Sequence, residues 1–66
     1  MTYKATQVYV MMRETQKEDG TLDNHPVAVF TDLETAEGNS DGYNLTMEEQ
    51  GIKGIKFYIT TTTMYE

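Results

Sequence analysis

The segment QVYVMM, residues 7–12, is apolar in both of its alternation classes, and this limits the folds open to the chain. Successive side chains of a strand point to opposite faces of the sheet. One face of this strand therefore carries Val8, Val10 and Met12, and the other face carries Tyr9 and Met11. β-Branched and aromatic residues are typical of strands. A strand that is apolar on both sides fits the centre of a sheet better than its edge. The sequence therefore predicts a central strand within residues 2–15.

Two further segments have the pattern of strands. Residues 16–24 form a polar run that contains Asp19-Gly20, a turn signal. Residues 26–30 follow it and are predicted to form a second strand, antiparallel to the first. Pro26 has no amide hydrogen, so it belongs at the start of a strand or on an edge. In residues 55–60 apolar side chains at Ile55, Phe57 and Ile59 alternate with the residues between them, and four threonines then extend the segment with β-branched residues. This pattern predicts the third strand over residues 55–65.

The segment between the second and third strands has two interpretations. Thr31 followed by Glu34 forms a capping box, which predicts a helix from about Asp32. Gly38 could end this helix and leave EGNSDG as a loop. Alternatively the helix continues to about Gln50, because one stripe has helical spacing: Leu33, Ala36, Ser40, Tyr43 and Met47. We favour the long helix. Each glycine lowers helix stability by about 1 kcal/mol relative to alanine, and tertiary packing commonly compensates for a loss of this size.

The elements predict one small α+β domain over residues 1–66, in the order β-β-α-β. We expect a three-stranded, mainly antiparallel sheet of order 2-1-3 with the helix on one face. The third strand could instead lie beside the second through a right-handed parallel crossover. A small parallel sheet needs both faces covered, so the antiparallel arrangement is preferred.

One helix covers only one face of such a sheet, and we expect that face to include Val8, Val10 and Met12. The opposite face would then expose a large apolar surface, which usually marks an interface. The sequence therefore predicts a partner-binding or oligomer face made of four residues: Tyr9, Met11, Phe30 and Tyr58.

The residues that could carry chemistry are few. The chain has no cysteine and one histidine, so disulfides and thiolate zinc sites are excluded. Residues 37–48 approach the EF-hand calcium loop, but Glu37 replaces its usual first aspartate, Asn44 replaces an apolar residue, and a strand follows. His25 has no nucleophile and orienting acid near it in a recognisable motif. We expect a protein without metal, cofactor or enzymatic activity.

The chain has 11 acidic and 5 basic residues, a formal net charge of −6. This charge argues against direct binding to nucleic acid, which needs a basic surface. There is no signal-peptide pattern and no apolar run long enough to span a membrane. The sequence predicts a cytoplasmic protein whose partner is another protein, with self-association into a homo-oligomer.

Three short motifs, Val8-Tyr9-Val10, Val29-Phe30 and Glu34-Thr35-Ala36, together resemble a layout of small accessory proteins of tailed bacteriophages and bacteria. In that layout a "VYV" strand precedes a strand ending in "VF", a capped helix and a final strand. The resemblance implies a small intracellular module, phage-encoded and active in the host cytoplasm, that binds a host protein and carries no catalytic residues.

Two alternatives to an interaction module remain open. One is an acidic inhibitor that mimics nucleic acid and offers its negative charge to a basic cleft. Its predicted acidic surface includes Glu34, Glu37, Asp41 and Glu48, and the remaining candidate residues are Glu14, Glu18, Asp19, Asp23, Asp32 and Glu49. The other is a small-molecule or metal-binding protein. Salt separates charge mimicry from apolar docking, because only the former weakens steeply as salt rises.

Overall fold

The computed structural model describes residues 4–65. Its elements follow the order β-β-α-β: β1 Ala5–Gln16, β2 Leu22–Phe30, α1 Leu33–Glu49 and β3 Ile55–Tyr65. The strands form one antiparallel sheet of order β2-β1-β3. The predicted α+β class and strand order are therefore confirmed, with the most apolar strand in the centre.

The β1–β2 hairpin is longer than predicted because β2 starts at Leu22 rather than at Pro26. Its turn is closed by the Lys17 amide, which donates to the Thr21 carbonyl at 2.8 Å, and Gly20 adopts a φ of +87°. Pro26 lies inside this edge strand, next to a register irregularity that leaves Val27 without a partner on β1. A missing amide hydrogen is tolerated at such an edge.

The helix is capped by Asp32 and not by Thr31 as the capping-box pattern predicted. The Asp32 carboxylate accepts hydrogen bonds from the Thr35 amide at 2.9 Å and from the Thr35 hydroxyl at 2.7 Å. These bonds, the hydroxyl one first, hold the pKa of Asp32 below its usual value because they favour the charged form. Asp and Thr are both good N-caps, so the pattern located the helix start only to within one residue.

The helix runs through Gly38 and Gly42, which confirms the long-helix interpretation. The inner part of the predicted stripe is buried, with Ala36 at 0% and Ser40 at 5% exposure. Gly51 ends the helix at a φ of +70°, a left-handed conformation that glycine adopts without strain. Packing of one narrow stripe on the sheet therefore holds a helix that two glycines weaken.

The expected assignment of the two sheet faces is wrong. The Tyr43 ring of α1 stacks on the Phe57 ring with centroids 5.0 Å apart, so Phe57 faces the helix. Phe57 pairs with Arg13, and the next pair on the same face is Met11 with Ile59. Residues directly opposite in an antiparallel pair share a face. The helix therefore covers the side of β1 that carries Met11, whereas Val10 lies on the opposite side.

The buried core of the described chain is small. Its buried apolar residues are Val8 at 3%, Met11 at 3%, Ala36 at 0% and Phe57 at 8% exposure. Within residues 4–65 no large side chain is completely buried, while nine large apolar residues are exposed: Leu22, Val27, Val29, Leu33, Tyr43, Leu45, Ile52, Met64 and Tyr65. Small domains bury a low fraction of their surface, and this one leaves a large apolar area exposed to solvent.

Candidate functional site

The four residues predicted as one interaction face do not lie together. Tyr9 pairs with Phe30, and Met11 lies on the same side of β1, so these three share the helix-covered face. Tyr58 pairs with Met12 and lies on the opposite face. Because β1 is apolar on both sides, alternation sorted its residues into two groups but did not show which group the helix covers.

A groove lies on the helix-covered face, between α1 and β2. Its volume is about 350 Å³, and its lining includes Met11, Arg13, Phe30, Tyr43 and Phe57. The Nε of Arg13 is buried and has no hydrogen-bond partner among the described residues. The groove is open and near the lower end of small-molecule sites in size, about 300–1,000 Å³. It is the feature that bears on the small-molecule alternative.

The uncovered face of the sheet is apolar at its centre. We call it the open face and define it by Val10, Met12, Leu22, Val29 and Tyr58. Val29 pairs with Val10 and is 61% exposed, and Leu22 is 57% exposed. Val8 is buried at one end, so the open face extends from Val10 toward Leu22.

The Tyr58 side chain has a fixed position on the open face. Its hydroxyl donates to Oδ1 of Asn24 at 2.7 Å. Tyr58 is on β3 and Asn24 is on β2, with β1 between them. The tyrosine ring therefore crosses β1 on the open face and partly covers Met12. Aromatic rings beside exposed apolar residues such as Val29 are enriched in the cores of protein interfaces.

Asn44 fixes the helix to the outer edge of β3, a role that the sequence did not reveal. Its Nδ2 donates to the Phe57 carbonyl at 2.8 Å, and the Phe57 amide donates to its Oδ1 at 2.8 Å. The asparagine side chain thus takes the place of a neighbouring strand at this one residue. No local pattern predicts such a contact, because it joins residues 13 positions apart.

The remaining outer edge of β3 has no such cover in the described chain. In an antiparallel strand alternate residues direct their backbone groups to the same side. Since Phe57 points outward to Asn44, four later residues also point outward: Ile59, Thr61, Thr63 and Tyr65. None of them has a backbone partner on that side among residues 4–65. Residues 60–65 are all exposed.

The acidic residues predicted as a charged surface lie along one exposed stripe of α1. Their helical positions are separated by three, four and seven residues: Glu34, Glu37, Asp41 and Glu48. Such spacings place side chains on one side of a helix. The helix carries no Lys or Arg, and Leu45 in the same stripe is 54% exposed.

The residues considered for metal binding and catalysis are not gathered into a site. Residues 37–48 are helical, so the loop geometry of an EF-hand is not formed there. The His25 Nε2 lies 2.9 Å from a carboxylate oxygen of Asp23 on the same strand, and both side chains are partly exposed. Across residues 4–65 no three His, Cys, Asp or Glu side chains come together in a possible metal-binding group.

Comparison with protein-family models, with curated proteins and with solved structures gives no match. Within the described part of the chain, α1 does not reach the length and hydropathy that a membrane-crossing helix needs. The function is therefore inferred from the surfaces described above.

Proposed function

We propose that the chain is a non-enzymatic interaction module that binds a partner protein through the open face. The supporting observation is the exposed side chain of Val29, which pairs with the partly buried Val10 beside the positioned ring of Tyr58. A large exposed apolar patch on a small domain commonly marks an interaction site.

The energetics of a small core support the same proposal. Each Å² of apolar area removed from water stabilises a complex by roughly 25 cal/mol. Val29 is 61% exposed and Leu22 is 57% exposed, so more than half of the surface of each residue is still in contact with water and can be buried by a partner. A partner that covers the open face would therefore stabilise the module as well as bind it.

The proposal includes where the module acts in the cell. It is based on three motifs: Val8-Tyr9-Val10, Val29-Phe30 and Glu34-Thr35-Ala36. On their resemblance to the phage layout, we place the module in the host cytoplasm with a host protein as its partner. The net charge of −6 favours a partner with basic residues around an apolar centre, because complementary charge speeds association.

The test compares two variants with the same added charge. Val29→Lys places a charge on the open face, and Leu45→Lys places one on the outer side of α1, where exposure is similar at 54% against 61%. Both baits are used to capture proteins from host lysate, after circular dichroism shows that they are folded. The proposal expects the Leu45 variant to retain the wild-type partner and the Val29 variant to lose it. Equal retention by both variants overturns the proposal.

The exposed acidic stripe favours nucleic-acid mimicry as a second candidate function. It would bind a basic cleft through Glu34, Glu37, Asp41 and Glu48, and the affinity would fall steeply between low and physiological salt. Capture that is insensitive to salt and survives Glu37→Gln with Asp41→Asn would eliminate this candidate.

A further inference from the structure

The outer edge of β3 differs from the outer edge of β2 in how it is protected. Natural sheets protect their edges with charged residues, proline, bulges or covering elements. β2 has Pro26 in its interior and a register irregularity at Val27. Among residues 4–65, the outer edge of β3 is covered by Asn44 alone, at Phe57. The segment 59–65, ITTTTMY, follows without a charge, a proline or a glycine.

We propose that residues 59–65 of β3 form a homodimer interface by pairing, antiparallel, with the same residues of a second copy. The outward backbone groups of Ile59, Thr61, Thr63 and Tyr65 would join the two sheets into one six-stranded sheet. Strand addition to an exposed edge is an established mode of recognition, in which backbone hydrogen bonds provide the affinity.

The charge distribution identifies a second copy as the occupant. Two chains of net charge −6 repel each other, and a two-fold interface brings the same surface patch of both copies together. Copies can therefore approach best where charge is absent, and residues 57–65 contain none. An antiparallel edge is also its own complement, since donors and acceptors exchange under the two-fold axis.

The register follows from using all four outward residues. Ile59 then faces the partner's Tyr65, Thr61 faces the partner's Thr63, and Thr62 lies on the axis opposite its own equivalent. Each outward pair exchanges two backbone hydrogen bonds. Residues that face each other in an antiparallel pair share a face of the sheet. Both helices would therefore lie on one side, and the two open faces would form one surface on the other.

A single introduced cysteine tests this register, because the chain has no cysteine of its own. Thr62 and its equivalent would form a non-hydrogen-bonded pair with Cα atoms about 4.5 Å apart. This separation lies within the range of about 4.4–6.8 Å for a disulfide. Thr60→Cys is the matched control, because its equivalent would be displaced by about 13 Å along the strand.

Under mild oxidation we expect Thr62→Cys to cross-link into a covalent dimer and Thr60→Cys to remain largely uncross-linked. In the cysteine-free chain, we expect sedimentation equilibrium to show a dimer, with slow hydrogen exchange at the Thr61 and Thr63 amides. A monomer at several hundred micromolar overturns the proposal. So does equal cross-linking of the two cysteine variants.

A charge design separates this edge from association through the open face. Thr61→Lys with Thr63→Lys puts like charges opposite each other across the interface and should weaken the dimer roughly tenfold. Thr61→Glu with Thr63→Lys puts opposite charges there and should restore it. Leu33→Lys with Leu45→Lys adds the same charge on α1, away from β3 and from the open face, and should leave the dimer intact. A dimer that survives the double lysine change at β3 but is lost in Val29→Lys refutes the edge interface and leaves open-face binding standing.

Discussion

Gly38 and Gly42 weaken a helix that has no structural need for them. Both have helical backbone conformations, and a Cβ added at either would meet no atom within 4 Å outside its own helix. Alanine in place of glycine stabilises a helix interior by about 1 kcal/mol, because glycine loses more backbone entropy on folding. The two positions are four residues apart and therefore neighbours on the helix, so the combined gain should be about 2 kcal/mol plus or minus a small coupling.

For a domain of this size, 1 kcal/mol shifts the melting temperature by roughly 4–8 °C. We therefore expect Gly38→Ala with Gly42→Ala to raise it by roughly 8–16 °C in a thermal scan by circular dichroism. Each single variant should give about half of the rise.

Gly51→Ala is the matched control. A Cβ there also meets nothing within 4 Å, but its φ is +70°. The same substitution should therefore destabilise the domain, by about 1–2 kcal/mol. If alanine at position 38 or 42 lowers the melting temperature, the helix does not continue through those glycines. The expected contrast between stabilisation at these positions and destabilisation at Gly51 would then be wrong.

Three further predictions concern the helix contacts and the core. Asn44→Asp keeps the acceptor for the Phe57 amide but sets a carboxylate against the Phe57 carbonyl, so we expect a loss of about 1–3 kcal/mol in urea unfolding; stability equal to the wild type would contradict the observed pairing. Met11→Ala should cost about 2–5 kcal/mol, a large part of the roughly 3–10 kcal/mol expected for the whole domain. Leu45→Ala, at a position 54% exposed, is its control and should change stability little. The lowered pKa of Asp32 means that its charged form stabilises the fold above the unfolded-state pKa, and that this contribution is lost as pH falls through the folded-state pKa. An acid titration should therefore show less loss of stability in Asp32→Asn than in the wild type, and identical profiles would argue against the cap.

The sequence was sufficient for the element order and the strand order. The alternation in residues 55–60 and the two-sided apolar pattern of residues 7–12 are local signals, and both segments are strands in the fold. The helix could be followed through Gly38 because Ala36 and Ser40 keep its buried stripe continuous. The helical spacing of the apolar and small residues therefore predicted the long helix, although the two glycines by themselves suggested that the helix ends at Gly38.

The covered face and the Asn44 contact could not be predicted in the same way. Val10 and Met11 are both apolar, and the choice between their faces depends on where α1 lies after the turn at Thr31. Asn44 reaches Phe57 only after α1 and β3 have packed. Both features depend on the path of the chain in space, and no spacing along the sequence encodes them.

Binding through the open face can be tested by a methyl NMR titration. The valine and leucine methyl groups are labelled, and the captured partner is added to saturation. We expect large shift changes at Val10 and Val29, with smaller ones at Leu33 and Leu45 on α1. Shift changes concentrated on Leu33 and Leu45, with Val29 unaffected, would contradict this expectation and assign binding to the helix side of the molecule.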